Sequence, residues 1–121
     1  MHVLLADDRA EVRSAIRLLL EQQRGVDVVA EAADLEQLML ALEATRPDVL
    51  LLDWELPGSR SDGRPTSHSR RLMALMRRLC PGMLIVVMSG APEARGEAER
   101  CGADAFVSKA GPPEALLAVL A

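Results

Sequence analysis

The stretch Asp48-Val49-Leu50-Leu51-Leu52-Asp53-Trp54-Glu55-Leu56-Pro57-Gly58 decides how this chain is read. Its centre, Val49–Leu52, is an unbroken aliphatic run that stops at a carboxylate. A short run without polar alternation suits a strand buried on both faces, as in parallel sheets. A single Asp after such a strand is most often a turn or cap residue, so the run speaks first about structure.

Outward from it, the pattern repeats. Met83–Met88 is a second fully apolar strand and Val3–Ala6 a compact third. Val26–Ala30, interrupted by Asp27, and Ala105–Ser108 are more mixed, as edge strands are. Helical stripes fill the gaps: Val12, Ala15, Ile16 and Leu19; then Leu35, Leu38, Met39 and Leu42 behind a capping Asp34. A third stripe, Leu72, Leu75, Met76 and Leu79, is stopped by Pro81 and Gly82. Pro92–Cys101 is the weakest helix, with Gly96 inside it and only Ala94, Ala98 and Cys101 on its apolar side. Pro113–Ala121 closes the chain and presents Leu116, Leu117 and Leu120. Strand followed by helix, five times over, predicts an α/β fold: a doubly wound parallel sheet with the three most apolar strands central. Only Ser59–Arg71 breaks the rhythm, with four Ser, four Arg, a Pro and a Gly in 13 residues. That is loop composition, and the segment is expected to be mobile, with His68 a solvated loop residue.

The 121 residues amount to one domain, 1–121, and half of them are hydrophobic. Trp54 and Phe106 are the only aromatics, so the core must be aliphatic. A net charge of −4 argues against nucleic acid as this segment's own partner. Cys80 and Cys101 suit buried, reduced thiols rather than a disulfide framework. No apolar run approaches the roughly 20 residues that span a bilayer, so no membrane contact is expected. Strand-like sequence from Val3, with no charged segment before it, argues against a signal peptide and for a cytoplasmic domain.

Open α/β sheets bind ligands outside the carboxyl ends of their strands. There the sequence places Asp7 and Asp8 after the first strand, Asp53 after the third, Ser89 and Gly90 after the fourth, and Ser108 and Lys109 after the fifth. Glu31 follows the second, but on an edge strand it should lie apart from the others. Three carboxylates brought together repel one another, and a divalent cation relieves this. Oxygen ligands favour Mg²⁺. A carboxylate nucleophile, an ammonium and a hydroxyl then have the chemistry of phosphoryl transfer. Each residue alone has a plainer reading: Asp7-Asp8 as a helix cap, Lys109 as a solvated charge. Their joint placement at four strand ends is what favours a site.

Leu4-Leu5-Ala6-Asp7-Asp8, Asp48 to Gly58, Val87-Met88-Ser89-Gly90 and Gly102-Ala103-Asp104-Ala105-Phe106-Val107-Ser108-Lys109 together make the chain resemble, from end to end, the receiver domain of two-component response regulators. The resemblance implies a flavodoxin-like (βα)5 fold with strand order 2-1-3-4-5. It implies Asp53 as phosphoacceptor, with Asp8, Asp53 and the backbone carbonyl of Glu55 on Mg²⁺ and Asp7 acting through water. Lys109 would pair with the phosphoryl group, while Ser89 and Phe106 would be the switch residues. A sensor histidine kinase is the implied partner, with homodimerisation through the face of the fourth helix, fifth strand and fifth helix. Such a domain turns over no external substrate, although it can hydrolyse its own aspartyl phosphate. Val28-Val29-Ala30-Glu31-Ala32 further resembles the subgroup whose separate helix-turn-helix output domains bind DNA.

The chain departs from that family in two places. The segment after Asp53 is longer than usual, and Ala110 replaces a frequent Pro after Lys109, so a trans bond is expected there. Trp54 is expected partly exposed at the rim of the site. Two rival functions use the same residues: a receiver that works without phosphorylation, and a Mg²⁺-dependent phosphatase that uses Glu55 as a second acid.

Overall fold

A computed structural model of the chain describes residues 1–58 and 67–121. Among these residues five strands and five helices alternate: β1 (His2–Ala6), α1 (Ala10–Glu21), β2 (Asp27–Ala32), α2 (Leu35–Thr45), β3 (Val49–Asp53), α3 (Ser67–Leu79), β4 (Leu84–Ser89), α4 (Ala94–Arg100), β5 (Ala105–Ser108) and α5 (Pro113–Leu120). The strands form one parallel sheet in the order β2-β1-β3-β4-β5. As expected, the mixed strands β2 and β5 are the edges and the aliphatic strands lie between them.

Alternation along the buried strands divides the core into two layers. Val3, Leu5, Val49, Leu51 and Val86 face α1 and α5, where Leu20 and Leu116 meet them. Leu4, Leu50, Leu52, Ile85 and Val87 face the other way, toward Leu38 and Leu42 of α2, Met73 and Met76 of α3, and Ala94 and Ala98 of α4. Both cysteines are buried and free.

On α1 the expected stripe packs on the core through half-buried Ile16 and Leu19, with Leu20 fully buried beside them, and Val12, Ile16 and Leu19 also line an open groove of about 620 Å³ between α1 and α5. Two readings of the helices need correction. On α3 the inward stripe is Met73, Met76 and Cys80, and Leu75 is 41% exposed. The inward stripe therefore runs one position away from the spacing of the leucines, and flexible Met side chains fill the core there. Finally, α3 starts at Ser67, so the last five residues of the expected loop are helical. Residues 59–66, on which the expectation of mobility also falls, lie outside the described residues. Before them, Gly58 has φ +92 and a Cβ there would sit 2.8 Å from the Cβ of Leu35, so the chain passes α2 where only glycine fits.

Candidate phosphoacceptor site

The sheet register assembles the site. Ala6 pairs with Leu52, which brings the residues that follow, Asp7 and Asp53, side by side. Asp53 pairs with Met88, so Ser89 lies one step beyond it. Ser89 in turn pairs with Ser108, and Lys109 follows. Backbone bonds hold the ends in place: Asp7 N–H to Ala32 O at 2.9 Å, Trp54 N–H to Met88 O at 2.9 Å, and Lys109 N–H to Ser89 O at 2.9 Å. Local turns aim the side chains. Asp7 Oδ1 accepts from Arg9 N–H at 2.9 Å, and Asp53 Oδ1 accepts from Glu55 N–H at 3.1 Å.

Asp7, Asp8 and Asp53 each offer one oxygen, and the three atoms lie within 4.8 Å of one another. Asp7 and Asp53 are buried and Asp8 is exposed. Lys109 bridges the buried pair, with Nζ 2.7 Å from Asp7 Oδ2 and 3.1 Å from Asp53 Oδ1. Among the described residues one ammonium thus faces three carboxylates, an arrangement in which a further cation would relieve the repulsion. The all-oxygen donor set, open on the Asp8 side, fits a hard divalent ion that retains water ligands. Glu31 takes no part: Arg13 pairs with it at 2.9 Å, and Arg17 pairs with it too.

Burial raises the Asp53 carboxyl to about 6, helped by its side-chain hydrogen bond with Glu55, while the Glu55 N–H and the Lys109 charge oppose the rise and Asp7 adds to it. Burial alone would lower Lys109, but its hydrogen bond to Asp7 and the charge of Asp53 outweigh this and raise it.

Of the switch candidates, Ser89 lies one step beyond the strand partner of Asp53, and Phe106 sits on the neighbouring strand opposite Val87. Ser89 is fully buried; its hydroxyl donates to Glu55 Oε1 at 2.7 Å and accepts from Ala91 N–H at 3.1 Å. Phe106 is already buried, with the Arg95 guanidinium of α4 stacked 4.9 Å from its ring centre. Trp54 corrects the sequence reading: it is 2% exposed, packed in the layer under α4, and its indole N–H lies 3.4 Å from Glu97 Oε2. The peptide bond after Lys109 is trans, as expected. His68 stands in the first turn of α3, its ring nitrogen 3.0 Å from Gly58 O.

Sequence reasoning gave the Glu55 side chain a role only in the phosphatase reading, and missed its bond to Ser89 as well as Arg95 and Glu97. Charges on a short helix such as α4 read as a solvated face, and nothing in their spacing marks Arg95 or Glu97.

A carboxylate cradle at the carboxyl ends of a doubly wound sheet defines a class of α/β proteins with a phosphoryl or metal site at the strand ends. Residues 3–121 match the family described as response regulator receiver domain. The oxygen regulatory protein NreC of Staphylococcus aureus is 32% identical over 117 residues, covering 97% of this chain and 52% of that protein. The isolated REC domain of RcsB from Salmonella enterica serovar Typhimurium, solved with phosphomimetic BeF3-, superposes with a TM-score of 0.82 at 30% identity, covering 99% of this chain and 85% of that one. RcsB of the same organism bound to promoter rprA gives 0.78 at 29%, covering 98% and 67%. The chain belongs to this family: it is the receiver domain of a two-component response regulator. It spans about half the length of the NreC relative. Among the described residues, no helix is long and apolar enough to cross a membrane.

Proposed function

We propose that Asp53 accepts a phosphoryl group from the phosphohistidine of a sensor kinase. The nitrogen–phosphorus bond breaks, an Asp53 oxygen–phosphorus bond forms, and the imidazole leaves. The observation that carries this reading is the Lys109 ammonium 3.1 Å from Asp53 Oδ1, beside carboxylates with which Asp53 shares a cation site. Lys109 would pair with an oxygen of the arriving group, and the Ser89 hydroxyl would donate a hydrogen bond to another. Asp8, Asp53 and the Glu55 carbonyl would hold Mg²⁺, with Asp7 acting through water. When bound, the ion neutralises charge on the transferring group.

Ser89 and Phe106 would carry the change to the face of α4, β5 and α5, through which two receivers could then pair. The domain acts on itself and turns over no external substrate beyond the loss of its own phosphoryl group. Residues 1–121 form one unit, and the half-length match to NreC supports a separate output domain. The RcsB relative bound to a promoter supports DNA as that domain's ligand, with no DNA contact by the receiver.

Asp53→Asn tests the assignment, because the amide keeps the shape and loses the nucleophile. With a small acyl-phosphate donor and Mg²⁺, the parent should gain one phosphoryl mass and the variant none. A phosphoryl adduct on Asp53→Asn would place the acceptor elsewhere.

A further inference from the structure

Among the described residues six large hydrophobic side chains are exposed, and two of them sit on neighbouring helices in matching surroundings: Leu40 on α2, 63% exposed, and Leu75 on α3, 41% exposed. Glu36 and Glu43 flank Leu40, at four positions before and three after. Arg71 and Arg78 flank Leu75 at the same intervals. At 100° per residue each trio falls within an arc of roughly 60° on the outer face of its helix. All four charged residues are exposed, and none has an ion pair or side-chain hydrogen bond among the described residues. One helix thus shows an acidic stripe with a leucine in it, and the next shows a basic stripe of the same pattern.

The two stripes also share a groove. Both helices cover the same layer of the core and, as crossovers of one parallel sheet, run in the same direction. Cys80 Sγ lies 3.9 Å from Leu42 O, and an Arg46 guanidinium N–H donates to Leu79 O at 2.8 Å, so the last turns of α2 and α3 stand level. That levels Leu40 with Leu75 along the helix direction. Arg77 leaves the far flank of α3 to reach Asp104 at 2.8 Å beside β5, so the flank bearing Leu75, about 200° round the helix, turns toward α2.

We propose that this α2–α3 face is a docking surface for a second copy of the chain. A two-fold axis running along the groove lays α2 of each copy on α3 of the other, in parallel. The equal intervals then set Glu36, Leu40 and Glu43 against Arg71, Leu75 and Arg78 of the second copy, and the same contacts recur across the axis. A two-fold axis across the helices would lay Glu against Glu, so charge selects the first arrangement. The apolar area at its centre is small, which makes this a weak, salt-sensitive association rather than an obligate dimer. It uses no residue of the phosphoacceptor site, so its failure would leave the assignment of Asp53 untouched.

Charge reversal provides the test, read by sedimentation equilibrium of the 121-residue chain at low and high salt. Glu36→Arg with Glu43→Arg, and separately Arg71→Glu with Arg78→Glu, should each weaken self-association by about tenfold or more. Mixed together the two variants should form a heterodimer as strong as the parent dimer, because every contact is complementary again. Uptake of one phosphoryl group by each variant shows that it is folded. A parent that stays monomeric at all concentrations overturns the proposal, and so do variants that associate like the parent. Loss of association on Leu18→Glu, in the α1–α5 groove, with the α2–α3 variants unaffected, also overturns it.

Discussion

Asp53 is held in a place that disfavours its charge. It is 2% exposed, and its carboxyl titrates near 6 instead of 3.8. A folded-state pKa above the unfolded value means that the folded protein holds the proton more tightly. Between pH 3.8 and about 6 the folded state therefore binds more protons than the unfolded chain, and stability falls as pH rises through that window. Lys109, also raised, acts in the same sense in a higher window: the stability its charge contributes through its two carboxylate partners is lost as pH rises through its own raised value. In metal-free protein at pH 7, Asp53→Asn should stabilise the fold by on the order of 2 kcal/mol, and the gain should vanish near pH 4. Thermal unfolding of both proteins across that range checks it. An equal gain at both ends would mean that burial of the charge is not the cause. The acid cluster itself was legible in the sequence because every member lies at, or within two residues of, a strand's carboxyl end, and parallel register does the rest. The bond from Ser89 to Glu55 was not, since side-chain pairing across two turns leaves no spacing to read.

At the scale of elements, α4 is the place where the site meets the surface. It is seven residues long, packs through Ala94 and Ala98, and carries Arg95 on Phe106 and Glu97 beside the Trp54 indole. Few apolar contacts hold it, which suits an element that must move cheaply. Trp54 was expected at the rim because it follows Asp53 at a strand end. In the structure it packs in the layer beneath α4. Sequence alternation shows that consecutive side chains diverge, but not whether the far side is water or core. Trp54 is the only tryptophan, so its fluorescence reports on this junction alone. Its emission should be that of a buried indole and should change saturably with Mg²⁺. Asp8→Ala should remove the response, whereas Glu97→Gln should alter the starting emission and leave the Mg²⁺ midpoint unchanged. A flat titration in the parent would remove the support for a metal beside Trp54. The same limit explains Leu75: periodicity located α3, but a leucine can serve an outer face as readily as an inner one.

For the whole molecule, the division into central and edge strands followed from which runs were fully aliphatic, because only central strands of a covered sheet can be so, while the strand order itself came with the family resemblance. The start of α3 did not follow, since Ser, His and Arg carry no periodic apolar signal and the helix is fixed instead by Met73 and Met76 beneath it. Crowding of like charge is a global liability that a bound cation should relieve. Mg²⁺ at about 100 times its dissociation constant should stabilise the fold by about 2.7 kcal/mol at pH 7. The gain should shrink as pH falls, because protons compete for the same oxygens. Glu31→Ala should retain it and Asp8→Ala should not. Calorimetry with and without the ion distinguishes the two, and a gain that survives Asp8→Ala would put the ion at another site.

Asp7 and the lysine that bridges it to Asp53 are 102 residues apart along the chain. Asp53 is made well before Lys109, which follows β5, the last strand among the described residues. A nascent or truncated chain lacking β5 has the nucleophile without the group that offsets the incoming negative charge. On the proposed reading of the site, the pairing of Lys109 with Asp53 forms only once β5 has joined the sheet, so readiness for the signal depends on completing this fold.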